Sequence, residues 1–384
     1  MKILFISFSD FKGGANIAAY SIYKSLKNKN YFFFTVYSKY KTTIEVFGNL
    51  KKIFIIFLRI IEKAIIKIFL KKNYHQSLNI FKTNIVDKIN NLNPEIVNIH
   101  WINRSMISLD EINKINTKVV ISLHDMWFLN STEHYSHNFR ESNDFISKHC
   151  MKKKYEIIKN ENIFFVAHNK WMMDNFKKKY PKYKSKIFLC KYYPIDIELF
   201  KPRNKIYLRK KYGLPINKKI VFFSAQDFSD TRKGYNYFLE IVEKLKYNNE
   251  IFFLSLGKIN KLLKNFNNLK QMNFLPHNMI SDLYSLSDIF LCTSTIDNLP
   301  LTVLEALSSG NVVISFKNGG TSEVIKNIGY SYKLGDTSSI IKTLKEINKK
   351  KIEKKSKISR LYALKNLNSK KIKEQYIHIF KTVN

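Results

Sequence analysis

The sequence predicts two doubly wound α/β domains, each a parallel sheet covered on both faces. Three observations carry that prediction. Short, wholly apolar runs recur between helical segments, as buried parallel strands require. The alternation stops near Pro194-Ile195-Asp196 and Phe200-Lys201-Pro202 and then begins again. The chain has 384 residues, 45% of them hydrophobic, enough for two cores and far from a disordered composition.

In order, residues 2–8 read as a first strand, 9–14 as a turn, 15–27 as a helix with Ile17, Ala18, Ile22 and Leu26 on one face, and 31–37 as a second strand. That is a βαβ unit. Strands follow at 95–100, 118–124 and 163–168. After a boundary placed at about 191–216, strands are read at 219–225, 251–257, 288–293 and 311–316. Helical segments lie at 234–246, 278–285, 300–309 and 336–349, with a last one at 355–382. The domains expected are 1–195, 196–365 and a C-terminal helix, 366–384, packing back on the first. With 11 glycines and 7 prolines there is no low-complexity character, and no solenoid repeat is visible. Three widely spaced cysteines exclude a disulfide scaffold and any CxxC metal motif. A reducing compartment is the default expectation, and the short apolar N-terminus reads as a strand rather than a leader.

Sixty-six Lys and Arg against thirty Asp and Glu give a net charge of +36, which calls for an anionic partner: nucleic acid, lipid surface or phosphorylated substrate. Coding bias toward Lys, Asn and Ile accounts for part of the excess. No RRM, KH or zinc-finger signature accompanies the charge, so nucleic acid is the weaker class. Residues 51–72 break the α/β rhythm. Thirteen Ile, Leu and Phe between 53 and 70 favour membrane insertion by about 4–8 kcal/mol, but Arg59, Glu62, Lys63 and Lys67 each oppose it by about 3 kcal/mol near the centre. Spanning loses or at best breaks even. The four charges share one helical stripe beside a wide apolar face, flanked by Lys51, Lys52, Lys71 and Lys72. That pattern fits an in-plane helix on anionic lipid, or a core or dimer-forming helix.

The richest stretch for chemistry is Ser294-Thr295-Ile296-Asp297-Asn298-Leu299-Pro300-Leu301 running into Glu305. It follows a strand and places Asn298 and Pro300 where a helix begins, so amides of a helix N-terminus and the carboxylates of Asp297 and Glu305 gather at the carboxyl end of a parallel sheet. Upstream, Asp230-Thr231-Arg232-Lys233-Gly234 sets two cations at a helix start, suited to a diphosphate. In the first half, Lys12-Gly13-Gly14-Ala15-Asn16 lies between strand and helix, either as a loop bringing amides to a phosphate or sugar or as a tight turn only. It is not GxGxxG, which disfavours a nicotinamide dehydrogenase. His124 follows a strand and is expected at the sheet's carboxyl edge.

These residues resemble the retaining glycosyltransferase family 4 of GT-B fold. Asp297 and Glu305 stand at the two acidic positions of its E-x7-E region, with Asp replacing the first Glu. The run from Glu305 to Ser315 and the Gly319-Gly320-Thr321-Ser322-Glu323-Val324-Ile325 stretch resemble its "EALACGTPVVAS…GGxxEVI". Arg232-Lys233-Gly234 matches its "RKG"; the further Arg it often carries is absent from Ser224-Ala225-Gln226-Asp227. Leu123-His124-Asp125-Met126-Trp127 and Asn98-Ile99-His100-Trp101-Ile102-Asn103 resemble the "LHDMW" and "HxHWIN" of its envelope-polysaccharide, colanic-acid-type branch, whose Cys-His-Tyr is Glu133-His134-Tyr135 here. The resemblance covers nearly the whole chain and thins between 40 and 80 and after 335.

What the resemblance implies is a hexosyltransferase without metal or cofactor. Its two Rossmann-like domains would face each other across a cleft, moving sugar from a nucleoside diphosphate to a lipid-linked or polysaccharide acceptor. Glu305 would hold the ribose. Gly13, Gly14, Arg232, Lys233, Asn298, Leu299, Pro300 and Leu301 would line the donor, His124, Asp297 and Glu305 would be catalytic, and His100 and Trp101 would lie on the acceptor side. No nucleic acid is expected, and the place expected is the inner face of the cytoplasmic membrane. The competing readings are a basic nucleic-acid-binding protein and an inactive membrane-associated scaffold of transferase fold.

Overall fold

The computed structural model describes residues 1–70, 75–136, 144–259 and 266–384. The flanking Lys71 and Lys72 lie outside the described residues. Two compact units are present: 1–194 together with 369–384, and 195–368.

The first unit is built on a seven-stranded, wholly parallel sheet of order β3-β2-β1-β4-β5-β6-β7. Its strands are β1 (Ile3–Ile6), β2 (Tyr31–Thr35), β3 (Ile44–Glu45), β4 (Ile96–Ile99), β5 (Lys118–Leu123), β6 (Ile163–Ala167) and β7 (Ile187–Leu189). Its helices are α1 (Gly14–Leu26), α2 (Asn49–Ile65) continued by a π-helical turn Ile66–Leu70, α3 (Ile85–Leu92), α4 (Leu109–Ile112), α5 (Phe145–Lys159) and α6 (Lys170–Lys179). Ile3, Phe5, Ile96, Val97, Val120, Ile121, Phe165 and Val166 are almost completely buried, because every strand of the centre has helices on both faces.

The second unit has a six-stranded parallel sheet of order β10-β9-β8-β11-β12-β13. Here the strands are β8 (Lys219–Ser224), β9 (Ile251–Leu256), β10 (Leu269–Met272), β11 (Ile289–Cys292), β12 (Val312–Phe316) and β13 (Tyr330–Tyr332). The helices are α7 (Lys205–Lys211), α8 (Tyr235–Lys244), α9 (His277–Leu286), α10 (Leu301–Ser308), α11 (Gly319–Ile325), α12 (Thr337–Glu346) and α13 (Lys349–Asn366). In both sheets the order reverses beside the first strand, the switch point at which α/β sheets gather ligands at their carboxyl edge.

The long helix read at 355–382 is two helices. The chain breaks after α13 and α14 (Ser369–Val383) joins the first unit, where Tyr376 Oη lies 3.0 Å from Ser122 Oγ and Phe380 is fully buried. The stripe read along α2 also differs from expectation. Glu62 is buried and accepts from the Leu78 amide at 2.7 Å and from the Ser105 hydroxyl, leaving Lys63 and Lys67 exposed. No helix among the described residues is long and apolar enough to cross a membrane.

Candidate functional site

In the second unit the chemistry gathers where β8 and β11 end. A single 3-10 turn, Thr231–Lys233, carries Arg232 and Lys233 into α8, and the Asp230 carboxylate caps it by accepting from the Arg232 amide at 3.1 Å. Two further contacts sew this turn to the exit of β11: Thr295 N–H donates to Arg232 O at 2.7 Å and Thr293 Oγ1 to Lys233 O at 3.1 Å. Such close approach needs Gly234, whose φ of +65° is left-handed and whose missing Cβ would sit 1.8 Å from Thr293 O.

The side chains then converge on Asp297. Its Oδ2 accepts from Arg232 Nη1 at 2.9 Å and from Lys233 Nζ at 2.6 Å, while Arg232 Nη2 reaches Asp230 at 2.9 Å. Burial alone would push the Asp297 carboxyl up; the Lys233 ammonium and Arg232 guanidinium outweigh it and hold it at about 2. The shorter Asp therefore still reaches both cations. Its carbonyl accepts from the Gly320 amide at 3.2 Å, an approach that requires glycine at 319, where φ is +57° and a Cβ would meet Asp297 O at 1.8 Å. Asn298, Leu299 and Pro300 are buried and lead into α10, whose first residue, Leu301, is half-buried.

Glu305, on α10, sits in a different environment. Its Oε2 accepts from Tyr284 Oη at 3.0 Å and its Oε1 lies 3.6 Å from His277 Nε2, both partners being on α9. Burial pushes this carboxyl up to about 7, opposed only by the tyrosine hydrogen bond. The two acidic positions are thus electrostatic opposites: Asp297 is ionised and doubly paired, while Glu305 is poised to titrate near neutrality. Lys233 is committed to Asp297 rather than to Glu305. Tyr284, His277 and Asp230 were absent from the residues read as functional; Asp230, two residues before Arg232, was the one with a local signal.

In the first unit Gly13 caps α1 at φ +91°, and a Cβ on Gly14 would meet open space. Asn16 organises the loop, donating to Lys12 O at 2.7 Å and accepting from Ser7 Oγ at 2.7 Å. His124 is at the end of β5 but is buried among rings. Its Nε2 is 2.9 Å from His100 Nδ1 and its Nδ1 is 3.1 Å from Tyr193 Oη, so both nitrogens are engaged within the unit. Burial drives the His100 and His124 imidazoles well below their usual range, and that of neighbouring His168 to about 3. These are neutral rings. Trp101 donates to Asp125 at 3.2 Å, and Asp125 also takes His134 Nδ1 at 2.6 Å, with His134 Nε2 2.9 Å from Ser77 Oγ. His134, in the Glu133-His134-Tyr135 segment, thereby orients the loop after β5.

Residues 204–363, within the second unit, match the family model of the glycosyl transferases group 1. Solved structures resemble the chain over its full length. Anabaena Alr3699/HepE in complex with UDP-glucose superposes with a TM-score of 0.70 at 15% identity, covering 100% of both chains. A glycosyltransferase from Rickettsia africae ESF-5 gives 0.68 at 18% identity, covering 99% of this chain and 98% of that one. WaaG, a glycosyltransferase involved in lipopolysaccharide biosynthesis, gives 0.66 at 14% identity, covering 98% and 99%. No curated protein matches the chain. The fold is GT-B: two Rossmann-like α/β domains with parallel sheets.

Proposed function

We propose that the protein is a retaining glycosyltransferase that moves a hexose-type sugar from a nucleoside diphosphate to a saccharide or lipid-linked acceptor of the cell envelope. One observation carries the reading: Arg232 and Lys233 meet Asp297 at the carboxyl edge of β8 and β11, with Glu305 one helix turn and more beyond on α10. Support for the donor class comes from Alr3699/HepE, solved with UDP-glucose, and for the acceptor class from WaaG, a lipopolysaccharide enzyme.

In this reading the ionised Glu305 accepts from the two ribose hydroxyls. The diphosphate competes with Asp297 for Arg232 and Lys233, which take up the charge that develops as the sugar C1–O bond to phosphate breaks. The acceptor oxygen forms its bond to C1 on the same face, and its proton passes to the departing diphosphate. Both atoms and charge balance without an enzyme nucleophile, and no resident metal or cofactor is called on. Gly13, Gly14 and His124 serve the sugar side, with His100 and Trp101 toward the acceptor; a direct contact from His124 requires exchange of one of its two present hydrogen bonds.

Thermal-shift screening against UDP-, GDP- and other nucleotide sugars, followed by donor hydrolysis, tests the proposal. A stabilising donor that is hydrolysed by the wild type and not by Lys233→Ala or Glu305→Ala supports it. Wild-type turnover in either variant overturns the site. Salt-dependent retention of RNA with no nucleotide-sugar response would favour a basic nucleic-acid-binding protein instead, and donor binding without hydrolysis or transfer an inactive scaffold.

A further inference from the structure

The amphipathic helix α2 faces the wrong way for a soluble surface. Part of its polar side is turned into the first unit and fixed there: Lys52 Nζ pairs with Glu45 at 2.5 Å, the Arg59 guanidinium lies 5.6 Å from the centre of the Phe8 ring, and Glu62 accepts from Leu78 N–H at 2.7 Å. With these anchors set, the apolar ridge points outward. Leu50 is 86% exposed, Ile53 62%, Phe57 56% and Ile60 60%, and on the π-helical turn Ile68 is 62% and Phe69 64% exposed. Isolated exposed apolar side chains are ordinary; large ones recurring from Leu50 to Ile60 and again at Ile68 and Phe69 mark an interaction face.

Charge selects the occupant. Lys63 and Lys67 are exposed beside the ridge and Lys51 is half-exposed at its start, while the described part of α2 and the π-helical turn has Glu62 as its single carboxylate, and that one is buried. A second copy of this chain, net charge +36, would bring another lysine-flanked face with no exposed carboxylate on it. An anionic bilayer meets both features at once: acyl chains take the ridge and phosphate headgroups take the lysines. We propose that α2 and its π-helical turn lie flat on an anionic lipid surface, inserting Leu50, Ile53, Phe57, Ile60, Ile68 and Phe69. This rests on the first unit alone and does not depend on the transfer chemistry.

Sedimentation with vesicles tests it, because the readout involves no donor. With 30% phosphatidylglycerol in phosphatidylcholine, the full chain is expected to co-sediment, and with pure phosphatidylcholine to bind at least tenfold less. Phe57→Ser/Ile60→Ser/Phe69→Ser is expected to reduce the partition coefficient at least tenfold with an unchanged unfolding temperature. Lys63→Glu/Lys67→Glu, which alters only exposed side chains, is expected to reduce it several-fold on the anionic vesicles and to flatten the salt dependence. Equal sedimentation of wild type and both variants overturns the proposal. So does a concentration-dependent dimer in ultracentrifugation that the triple serine variant abolishes, which would give the face to a second copy.

Discussion

Glu305→Gln is expected to make the second unit more stable above neutral pH and, on the proposed function, to abolish donor binding. The Glu305 carboxyl titrates at about 7 in the fold because of burial, against about 4.5 in an unfolded chain. Between those values the native state holds a proton that the unfolded state has lost, so stability falls as pH rises. The gap corresponds to about 3 kcal/mol of stability, fully present below pH 4.5 and lost by the time the pH has risen past 7. Gln is isosteric, keeps an acceptor for Tyr284 Oη, and never ionises. Its advantage should therefore be near zero at pH 4.5 and rise toward about 3 kcal/mol at pH 8.5. All three tryptophans, Trp101, Trp127 and Trp171, lie in the first unit, so their fluorescence does not follow the second. Calorimetry, or far-ultraviolet circular dichroism in urea, is the suitable assay. A Gln variant whose stability relative to wild type is the same at both pH values would refute the electrostatic account. Gain of stability with undiminished donor binding would show that the buried carboxylate serves something other than the ribose, since functional sites commonly retain groups that burden the fold.

Tyr284→Phe removes the hydrogen bond that favours the Glu305 carboxylate, so the acid limb of donor binding should move to higher pH; calorimetric titration across pH 5.5 to 8.5 reads it, and an unmoved limb contradicts the pairing. Asp297→Asn leaves the Lys233 ammonium without its carboxylate and should destabilise the second unit by about 2–3 kcal/mol at pH 7, in line with the carboxyl being held at about 2. The loss should shrink below pH 3, as measured by urea unfolding. Gly319→Ala places a Cβ against Asp297 O and forces a left-handed alanine, so it should cost about 1 kcal/mol or more and weaken donor binding together with stability. The first unit should lose stability as pH falls from 6.5 toward 3, because the unfolded chain takes up protons on His100, His124 and His168 that the buried neutral rings refuse. Tryptophan fluorescence in urea at pH 4.5 and 7 checks this; equal midpoints would contradict it.

The central strands of both sheets were legible because burial on two faces demands mostly apolar runs, which β1 and β11 supply without interruption and β4, β5 and β8 with one or two polar residues. The edge strands β3, β7, β10 and β13 were not. They are short and partly exposed: Leu269-Lys270-Gln271-Met272 carries no apolar run, and the three apolar residues of β7 are too few to stand out. Within the site, Asp297, Glu305, Arg232 and Lys233 were legible from their positions beside strand ends and from a family pattern.

The linear chain by itself pointed to two α/β units and to Arg232, Lys233, Asp297 and Glu305 as candidates beside strand ends, but not to Tyr284, His277 or Asp230, which contact them. Tertiary structure alone decided how those groups behave. Tyr284 and His277 reach Glu305 from α9 across more than twenty residues, Lys233 spends its charge on Asp297 64 residues away, and Glu62 finds the Leu78 amide, turning the apolar side of α2 outward. Ionisation state and orientation are set by solvent exclusion and by partners brought near in space, and neither quantity is a property of local sequence.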